Sequence, residues 1–577
     1  MSDISIFVPE YDSSSNDDDT NSSEEYHPAI DLPSFGGHAI KYGNDDGNDE
    51  SDTKSNYFNK DRLKSYGKNV IIFSYIVILN MVAPFLIYYY LLDDKSLAIP
   101  YWIGYGALLL TNFFKLTEGI LATIAYFHRK MTKEQRLMLD TDTDRFVKVY
   151  DTDFTHSKSN ERMVLVDGLP VKDYDPPLQD EHKEYMAKIS YDIPNLLVLI
   201  PAYLINEQEI IFDTLNHMGT VIYSGQTEIL LVFNSPHFEG KEEVIDRLNE
   251  LSGQFEYLYG KKLYIAENLT SHSKAENVNY GLQLIRDGKI FQPDIVAMYD
   301  ADHQPELWAW ERAVYMFFKT SCHVIQGRCV IRNNENFFAR MVAVEYELMY
   351  TLHQKGGQFI RNYGIFGGSN GFWLYEVLND IEMDQTMLTE DIDSNFRALE
   401  KDNKVIYCDD VISYELTPPN FSSWVSQRLR WSQGWFEVMF RHTWRMLKCK
   451  NLTWQQRLAT LIYLPYRELS IYLMAQIAPC AAAYFLKYGT DGIIWELILV
   501  SIIVKDVPVW INTLMVGATI STDSHRWYNT AYKPIPFICY IQFIMFSPFY
   551  LQALLIISMI SHCRHFMAMH QWVVTPR

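Results

Sequence analysis

Val296-Ala297-Met298-Tyr299-Asp300-Ala301-Asp302 is a short apolar run that ends in two carboxylates one residue apart. An unbroken apolar run of this length reads as a strand buried on both faces, and such a strand delivers its closing residues to the carboxyl edge of a sheet. Aspartates at alternate positions there can hold Mg²⁺ or Mn²⁺ against a diphosphate, because hard divalent cations take oxygen ligands and stay partly open to phosphate. Asp-x-Asp is common by chance, and a solvated turn after a strand reads the same way. The ordered motifs on either side of it separate the two readings.

Upstream, the apolar strand Leu196 to Ile200 opens into Pro201-Ala202-Tyr203, Ile229 to Phe233 is a second buried strand, and Glu242 to Leu251 is amphipathic. Strand and helix in alternation predict an α/β fold with a mostly parallel sheet, helices on its faces and ligands at the carboxyl ends of its strands. Lys274-Ala275-Glu276-Asn277-Val278-Asn279 precedes the aspartates. After them come Phe366-Gly367-Gly368-Ser369-Asn370-Gly371-Phe372-Trp373, then Thr389-Glu390-Asp391, then Gln427-Arg428-Leu429-Arg430-Trp431. Each stretch has a bland reading. Lys274 is a cation that a phosphate or plain solvent would accept, and Asp391 at the start of a helix is either a cap or a base. The Arg428 and Arg430 fork suits pyrophosphate, with only one of the two needing to face it. Trp424, Trp431 and Trp435 could anchor an interfacial helix by their indoles.

In this order the motifs resemble the processive family 2 glycosyltransferases, the group that holds cellulose, chitin and hyaluronan synthases. The resemblance covers residues 190–445 closely and implies a GT-A type, Rossmann-like glycosyltransferase domain inserted between N- and C-terminal transmembrane helices. It makes Asp391 the general base of an inverting displacement that turns an α-linked donor into a β-linked product. Asp302 becomes the ligand of Mg²⁺ or Mn²⁺, with His303 either a second ligand or an orienting side chain. Pro201, Ala202, Lys274, Asp300, Arg428 and Arg430 fall on the nucleotide-sugar and diphosphate side. Gly368, Ser369, Asn370, Glu390, Gln427 and Trp431 fall on the acceptor side, with Trp431 the aromatic floor for a sugar. Two departures stand out. No Cys precedes the Gly368-Ser369 pair as in cellulose synthases proper, and Asn234 stands where many relatives place an aspartate that contacts the donor base. The final Trp572-Val573-Val574-Thr575-Pro576-Arg577 resembles the gating loop of bacterial cellulose synthase, which would bring Thr575 and Arg577 to the donor diphosphate; a frayed basic tail is the alternative.

Composition agrees with a membrane-embedded enzyme. Residues 1–60 carry 14 acidic and 3 basic side chains and too little apolar surface to fold alone, so they read as an acidic, disordered cytosolic tail. Without that tail the net charge of −21 falls to −10, which is no nucleic-acid footprint. The seven cysteines are odd in number and scattered, suggesting neither a disulfide framework nor a zinc site. Two apolar segments at about 69–92 and 98–127 form a hairpin whose basic outer flanks, Lys60 to Lys68 and His128 to Lys130, place both sides in the cytosol. Lys115 and Glu118 within it could neutralise one another or face a polar lumen. Residues 131–189 are polar, a linker or lid, and an interfacial helix is expected near 424–445.

Further apolar segments at 457–487, 491–519 and 534–560 contain Arg467, Glu468, Glu496, Lys505 and Asp506, which fit a polymer tunnel or internal salt bridges equally. Three spans after a cytosolic domain would leave the segment 561–577 outside, so either one lies in the interface or the chain re-enters at Pro548. The expected function is that of a processive, multi-pass enzyme of the plasma membrane that makes and exports a β-glucan from a UDP-sugar. Its partners would be the nucleotide sugar, the nascent polysaccharide and the bilayer. Chitin or hyaluronan synthesis, a non-processive transfer to lipid and a non-catalytic scaffold are the alternatives.

Overall fold

The computed structural model describes residues 71–131, 163–166, 169–172, 193–223, 225–234, 240–307, 309–418, 420–489, 505–517 and 535–567. The acidic tail, most of the 131–189 region and the gating-loop residues Thr575 and Arg577 lie outside these. Within 131–189, the region read as a linker or lid, residues 163–172 include a two-stranded antiparallel hairpin, β1 (Met163–Val166) with β2 (Leu169–Lys172).

The central sheet has eight strands: β3 (Leu196–Tyr203), β4 (Thr227–Asn234), β5 (Lys262–Glu267), β6 (Ile295–Met298), β7 (Gln304–Pro305), β8 (Val324–Ile331), β9 (Gly371–Leu374) and β10 (Val405–Glu415). Their spatial order is β5-β4-β3-β6-β9-β8-β10-β7. Pairing is parallel from β5 to β6 and between β8 and β10, while β9 runs antiparallel to both β6 and β8 and β7 antiparallel to β10. Period-two alternation divides each inner strand between two cores. Leu197, Leu199, Leu230, Val232, Val296 and Met298 pack with one set of helices, and Leu196, Val198, Ile200, Ile229, Leu231 and Ala297 with another. The middle of β3, β4 and β6 is covered on both faces, which is why Leu196 to Ile200, Ile229 to Phe233 and Ile295 to Met298 read as continuous apolar runs.

The helices that matter to the site are α1 (Ile71–Leu91), α2 (Asp94–Met131), α3 (Ile211–Thr220), α4 (Lys241–Tyr259), α5 (Lys274–Arg286) and α6 (Ala309–Thr320). They continue with α7 (Phe337–Glu347, extended by a π-helical turn Leu348–Gln354 into Lys355–Arg361), α8 (Tyr375–Ile381), α9 (Glu390–Glu400) and α10 (Phe421–Lys448). Last come α11 (Trp454–Tyr488), a short helix at 505–517 designated α12, and α13 (Phe537–Phe566). Helices α5, α9 and α10 cover the first face of the sheet; α3, α4 and α6 cover the second. The carboxyl ends of β3, β4 and β6 therefore open at one edge. Because β9 is antiparallel, the glycine-rich loop that precedes it reaches the same edge.

Among the described residues, four helices are long and apolar enough to cross a bilayer: Ile71–Leu91, Ser96–Tyr126, Trp454–Tyr488 and Phe537–Phe566. Large apolar side chains point outward from them, Leu91 at 76% and Phe549 at 75% exposure, as helices facing hydrocarbon require. The expected segment 491–519 is described only at 505–517.

The charges within these helices are tied to neighbours. Glu118 binds His353 Nδ1 at 2.6 Å and accepts from Tyr463 OH at 2.5 Å, partners on other helices, and the Lys115 backbone carbonyl accepts from Asn512 Nδ2 at 3.1 Å. Glu468 binds His562 at 3.0 Å and Arg467 at 3.2 Å. The indoles expected to be interfacial anchors also face protein. Trp424 is fully buried among Phe338, Phe421 and Tyr550, and Trp435 lies 3.9 Å beneath the Arg467 guanidinium.

A third apolar cluster joins α7 and α10 to α13 and the inner face of α2, and it seats the sheet domain on the membrane helices. At that seam Gly356 lets α7 touch the backbone of α2: a Cβ there would fall on the carbonyl of Glu118. Backbone cannot swing aside as a side chain does. Gly356→Ala is therefore expected to destabilise the detergent-purified protein by roughly 3 kcal/mol, read as a lower thermal midpoint. A midpoint equal to that of the parent would show that the seam is loose.

Candidate active site

The ends of β3, β4 and β6, the loop before β9 and the starts of α5, α9 and α10 enclose a cavity of about 160 Å³. Pro201, Ala202, Asn234, Lys274, Asp300, Ser369, Glu390, Asp391, Gln427, Arg430 and Trp431 all line it. These residues span 231 positions of sequence, from 201 to 431, and the parallel sheet brings them to one edge.

Lys274 opens α5, whose start is fixed by a capping box between Ser273 and Glu276. Its ammonium pairs with Asp300 Oδ1 and donates to the Gly368 carbonyl at 2.6 Å. Burial alone would lower its pKa, but Asp300, Glu390 and Asp391 outweigh that and hold the lysine charged. Ser369 Oγ accepts from the Asp300 amide at 2.9 Å. Gln326 of β8 fastens the loop from behind, accepting from Gly367 N–H at 2.7 Å and donating to the Ser369 carbonyl at 3.0 Å. Gly368 itself has φ +94°, and a Cβ on it would meet Asp391 Oδ2. Both the backbone conformation and the contact demand glycine.

Asp391 is the second residue of α9, and Thr389 holds the N-cap position. One Asp391 oxygen accepts from Ile392 N–H at 2.8 Å. Burial pushes the Asp391 carboxyl up, against the opposing pull of Lys274, this amide and Arg430. Burial also pushes Glu390 up to about 7, and the neighbouring Asp391 charge adds to it. A buried carboxylate held above its ordinary range is suited to taking a proton near neutral pH.

Helix α9 is clamped to α10 by His442, whose nitrogens meet Asp393 Oδ1 at 2.8 Å and Glu400 Oε1 at 2.7 Å. Asp393 also binds Arg397 at 2.7 Å and Arg441 at 3.2 Å. Gly434 gives Thr389 room at the same seam. The helix that carries Asp391 is thus fixed against the helix that carries Gln427, Arg430 and Trp431.

Asp302 is fully buried below the cavity, with Oδ2 accepting from Leu416 N–H at 3.1 Å. His303, also buried, places Nδ1 3.0 Å from Ser413 Oγ and Nε2 2.9 Å from Glu415 Oε2. One ligand atom from each of Asp300, Asp302 and His303 lies within 4.8 Å of the others. Two carboxylates and an imidazole at that spacing fit a divalent cation of the Mg²⁺ or Mn²⁺ type.

Two expected site residues are placed elsewhere. Arg428 does not line the cavity: it is buried, pairs with Glu345 at 2.7 Å and lies 4.5 Å from the Trp431 ring, while Tyr550 of α13 donates to the same glutamate oxygen at 2.6 Å. Two residues along a helix turn roughly 200°, so Arg428 and Arg430 cannot both face the cavity. Asn370 has φ +49° and is fully buried, with Nδ2 donating at 2.9 Å to the carbonyls of Arg328 and Val411. It ties β8 to β10, where an acceptor contact was expected.

The structure adds Tyr203, Glu207, Asn277, Cys329, Tyr346, Tyr350 and Glu415 to the cavity wall. Glu415 ends an apolar strand as Asp300 nearly does, and Tyr346 and Tyr350 are spaced by one helical turn. Those signals were present in the sequence.

Residues 295–489 match the family profile described as glycosyl transferase family group 2. Glucomannan 4-beta-mannosyltransferase 9 of Arabidopsis thaliana is 26% identical over 192 residues, 32% of this chain and 36% of that protein. A probable glucomannan 4-beta-mannosyltransferase 3 from the same plant is 23% identical over 313 residues, 53% of each chain. The chain thus spans from about a third to about half the length of these curated relatives. Among solved structures, the mannosyltransferase PcManGT of Pyrobaculum calidifontis, in complex with GDP-Man and Mn²⁺, aligns with a TM-score of 0.43 at 14% identity, covering 79% of this chain and 99% of that one.

Raising the Glu390 pKa above its ordinary 4.5 means that the folded state holds the proton more tightly than the unfolded chain. The stability this gives is present below about pH 4.5 and is lost as pH rises through about 7. Glu390→Gln is accordingly expected to melt higher than the parent at pH 8 and to converge with it near pH 4.5. Equal melting at pH 8 would contradict the burial argument.

Proposed function

We propose that this chain is a cellulose synthase-like glycosyltransferase of family 2 that transfers a hexose from a nucleoside diphosphate to a growing β-linked polysaccharide at a membrane. The observation that carries the reading is the placement of Asp391. Its carboxylate is buried, raised in pKa and pressed against Gly368, in the same cavity as Lys274, Asp300 and Arg430.

In this mechanism the donor diphosphate lies on the side of Lys274 and Arg430, whose charges offset those that develop on the leaving phosphates. Asp300, held by Lys274 and by the hydrogen bond its backbone N–H donates to Ser369 Oγ, keeps the donor side of the cavity in register. Asp391 accepts the proton of the acceptor hydroxyl as that oxygen attacks the anomeric carbon from the face opposite the leaving group, which inverts the configuration. Trp431 gives the acceptor ring an apolar surface, and Gln427 supplies a hydrogen-bonding partner for its hydroxyls. A divalent cation held by Asp302 with Asp300 and His303 would neutralise charge on the diphosphate.

Processive synthesis with export is supported by the Gln427 to Trp431 motif and by flanking helices long and apolar enough to cross a bilayer. A cytosolic catalytic domain in the plasma membrane is the matching orientation. The motif set favours a β-glucan from a UDP-sugar, and the names of the curated relatives point to a mannosyl unit, so donor identity is what an assay must read.

Purified protein in nanodiscs with Mg²⁺ or Mn²⁺ is expected to build a long product from one of UDP-glucose, GDP-mannose, UDP-N-acetylglucosamine or UDP-glucuronate. Linkage-specific glycosidases then identify the polymer. Short, lipid-extractable product alone would indicate transfer to lipid. Asp391→Asn is expected to cut turnover by on the order of 10²–10⁴ while donor affinity stays within a few-fold of the parent. Unchanged turnover would remove Asp391 from the role of base.

A further inference from the structure

Beside the aspartate pair lies a second group of metal-binding side chains, chemically unlike the first, of which Cys329 and Glu415 line the cavity. His303, Cys329 and Glu415 each bring one ligand atom within 4.8 Å of the other two. They come from the turn after β6, from β8 and from the end of β10, so the sheet itself fixes their spacing. Cys329 sits opposite Ser413 in the β8–β10 register, two residues before Glu415. Ser413 Oγ lies 3.0 Å from His303 Nδ1, which leaves Nε2 aimed at Glu415 Oε2, 2.9 Å away. Metal-binding histidines are oriented in this way, one ring nitrogen tied to a fixed partner and the other presented to the ion. Cys329 is only 1% exposed, yet both it and Glu415 line the cavity, so an ion reaches them from inside.

Ligand chemistry distinguishes the two sets. Two carboxylates and an imidazole suit a hard cation, whereas imidazole, thiolate and carboxylate suit Zn²⁺. Zinc bonds of ~2.0 Å to nitrogen or oxygen and ~2.3 Å to sulfur place tetrahedral ligand atoms ~3.3–3.6 Å apart. The three atoms lie within 4.8 Å of one another, so shifts of about 1 Å in side-chain position bring them there, and Cys329 and Glu415 turn one side of the group to the cavity. The sequence concealed this group because its members are 26 and 86 residues apart, from 303 to 329 to 415, far from any zinc-binding spacing.

We propose that His303, Cys329 and Glu415 form a second cation site, selective for thiophilic divalent ions such as Zn²⁺. Because His303 belongs to both sets, an ion held here withdraws it from Asp300 and Asp302, and the site is inhibitory. The inhibition rests on the function proposed above; the binding site does not.

Cobalt(II) reports the site directly. The full chain in nanodiscs, titrated with Co²⁺ alone, is expected to develop the near-ultraviolet absorption of a thiolate–cobalt bond, bleached by added Zn²⁺. The band should be lost in Cys329→Ser and weakened at least tenfold in apparent affinity in Glu415→Gln, a variant that keeps the thiol. No band in the parent, or an undiminished band in both variants, overturns the site. In Mg²⁺-supported turnover, the zinc concentration for half inhibition should rise at least tenfold in Cys329→Ser; equal sensitivity overturns the inhibitory role. If no donor supports turnover, the functional reading fails while the cobalt band still decides the site.

Discussion

One ammonium group holds the cavity together. Lys274 Nζ ties the carboxylate at the end of one strand, Asp300, to the carbonyl of Gly368 in the loop before another, and the charges of Glu390 and Asp391 lie close enough to keep it protonated. Three acidic groups gathered in one partly buried cleft would repel one another, and a buried carboxylate without a partner is strongly destabilising. The lysine offsets that repulsion and also sets the distance between the donor edge and the base. The raised carboxyls of Glu390 and Asp391 are what remains after its compensation. The site is therefore an electrostatic compromise, poised for proton transfer at some expense of stability.

Around that centre, positional precision comes from ion pairs that never touch the cavity. His442 between Asp393 and Glu400 locks α9 to α10, and Arg428 with Glu345 and Tyr550 locks α10 to α7 and α13. The first joins two consecutive helices, and the second joins helices far apart in sequence. The second also reaches a helix long and apolar enough to cross the bilayer. Membrane packing and active-site geometry are in this way mechanically connected through one guanidinium, which explains why two arginines so close together have such different surroundings.

Much of this was legible in the sequence because of how strands and helices repeat. Leu196 to Ile200, Ile229 to Phe233 and Asp294 to Tyr299 read as buried strands, since nothing polar interrupts their cores, and the edge at which Asp300 and Asp391 meet comes from a parallel sheet. What failed has local causes. Arg428 and Asn370 carry the right chemistry on the wrong side of their backbones, and facing direction depends on helical phase and on a positive φ that composition does not reveal. The four-residue β9 is too short to show a direction, so the antiparallel insertion could not be read. Membrane charges such as Glu118 found partners hundreds of residues away, beyond any periodicity argument. The role assigned to Thr575 and Arg577 belongs to residues outside those described.

The insertion of β9 between β6 and β8 also governs the order in which the molecule can be assembled. Strand β8 cannot join the first half of the sheet directly. It waits for residues 371–374 to bridge the gap, although it leaves the ribosome some forty residues earlier. The seam then waits longer still, because Trp424, which packs on Phe338, is covered in part by Tyr550 of the last described helix. During synthesis the half-made domain must carry an apolar flank with nothing against it, beside a membrane that already holds α1 and α2. Contacts that close late over long sequence separations are slow and exposed to misassociation. A bilayer surface beside α1 and α2 would shelter that flank until the closing helix arrives, which would make the membrane a folding environment for this chain.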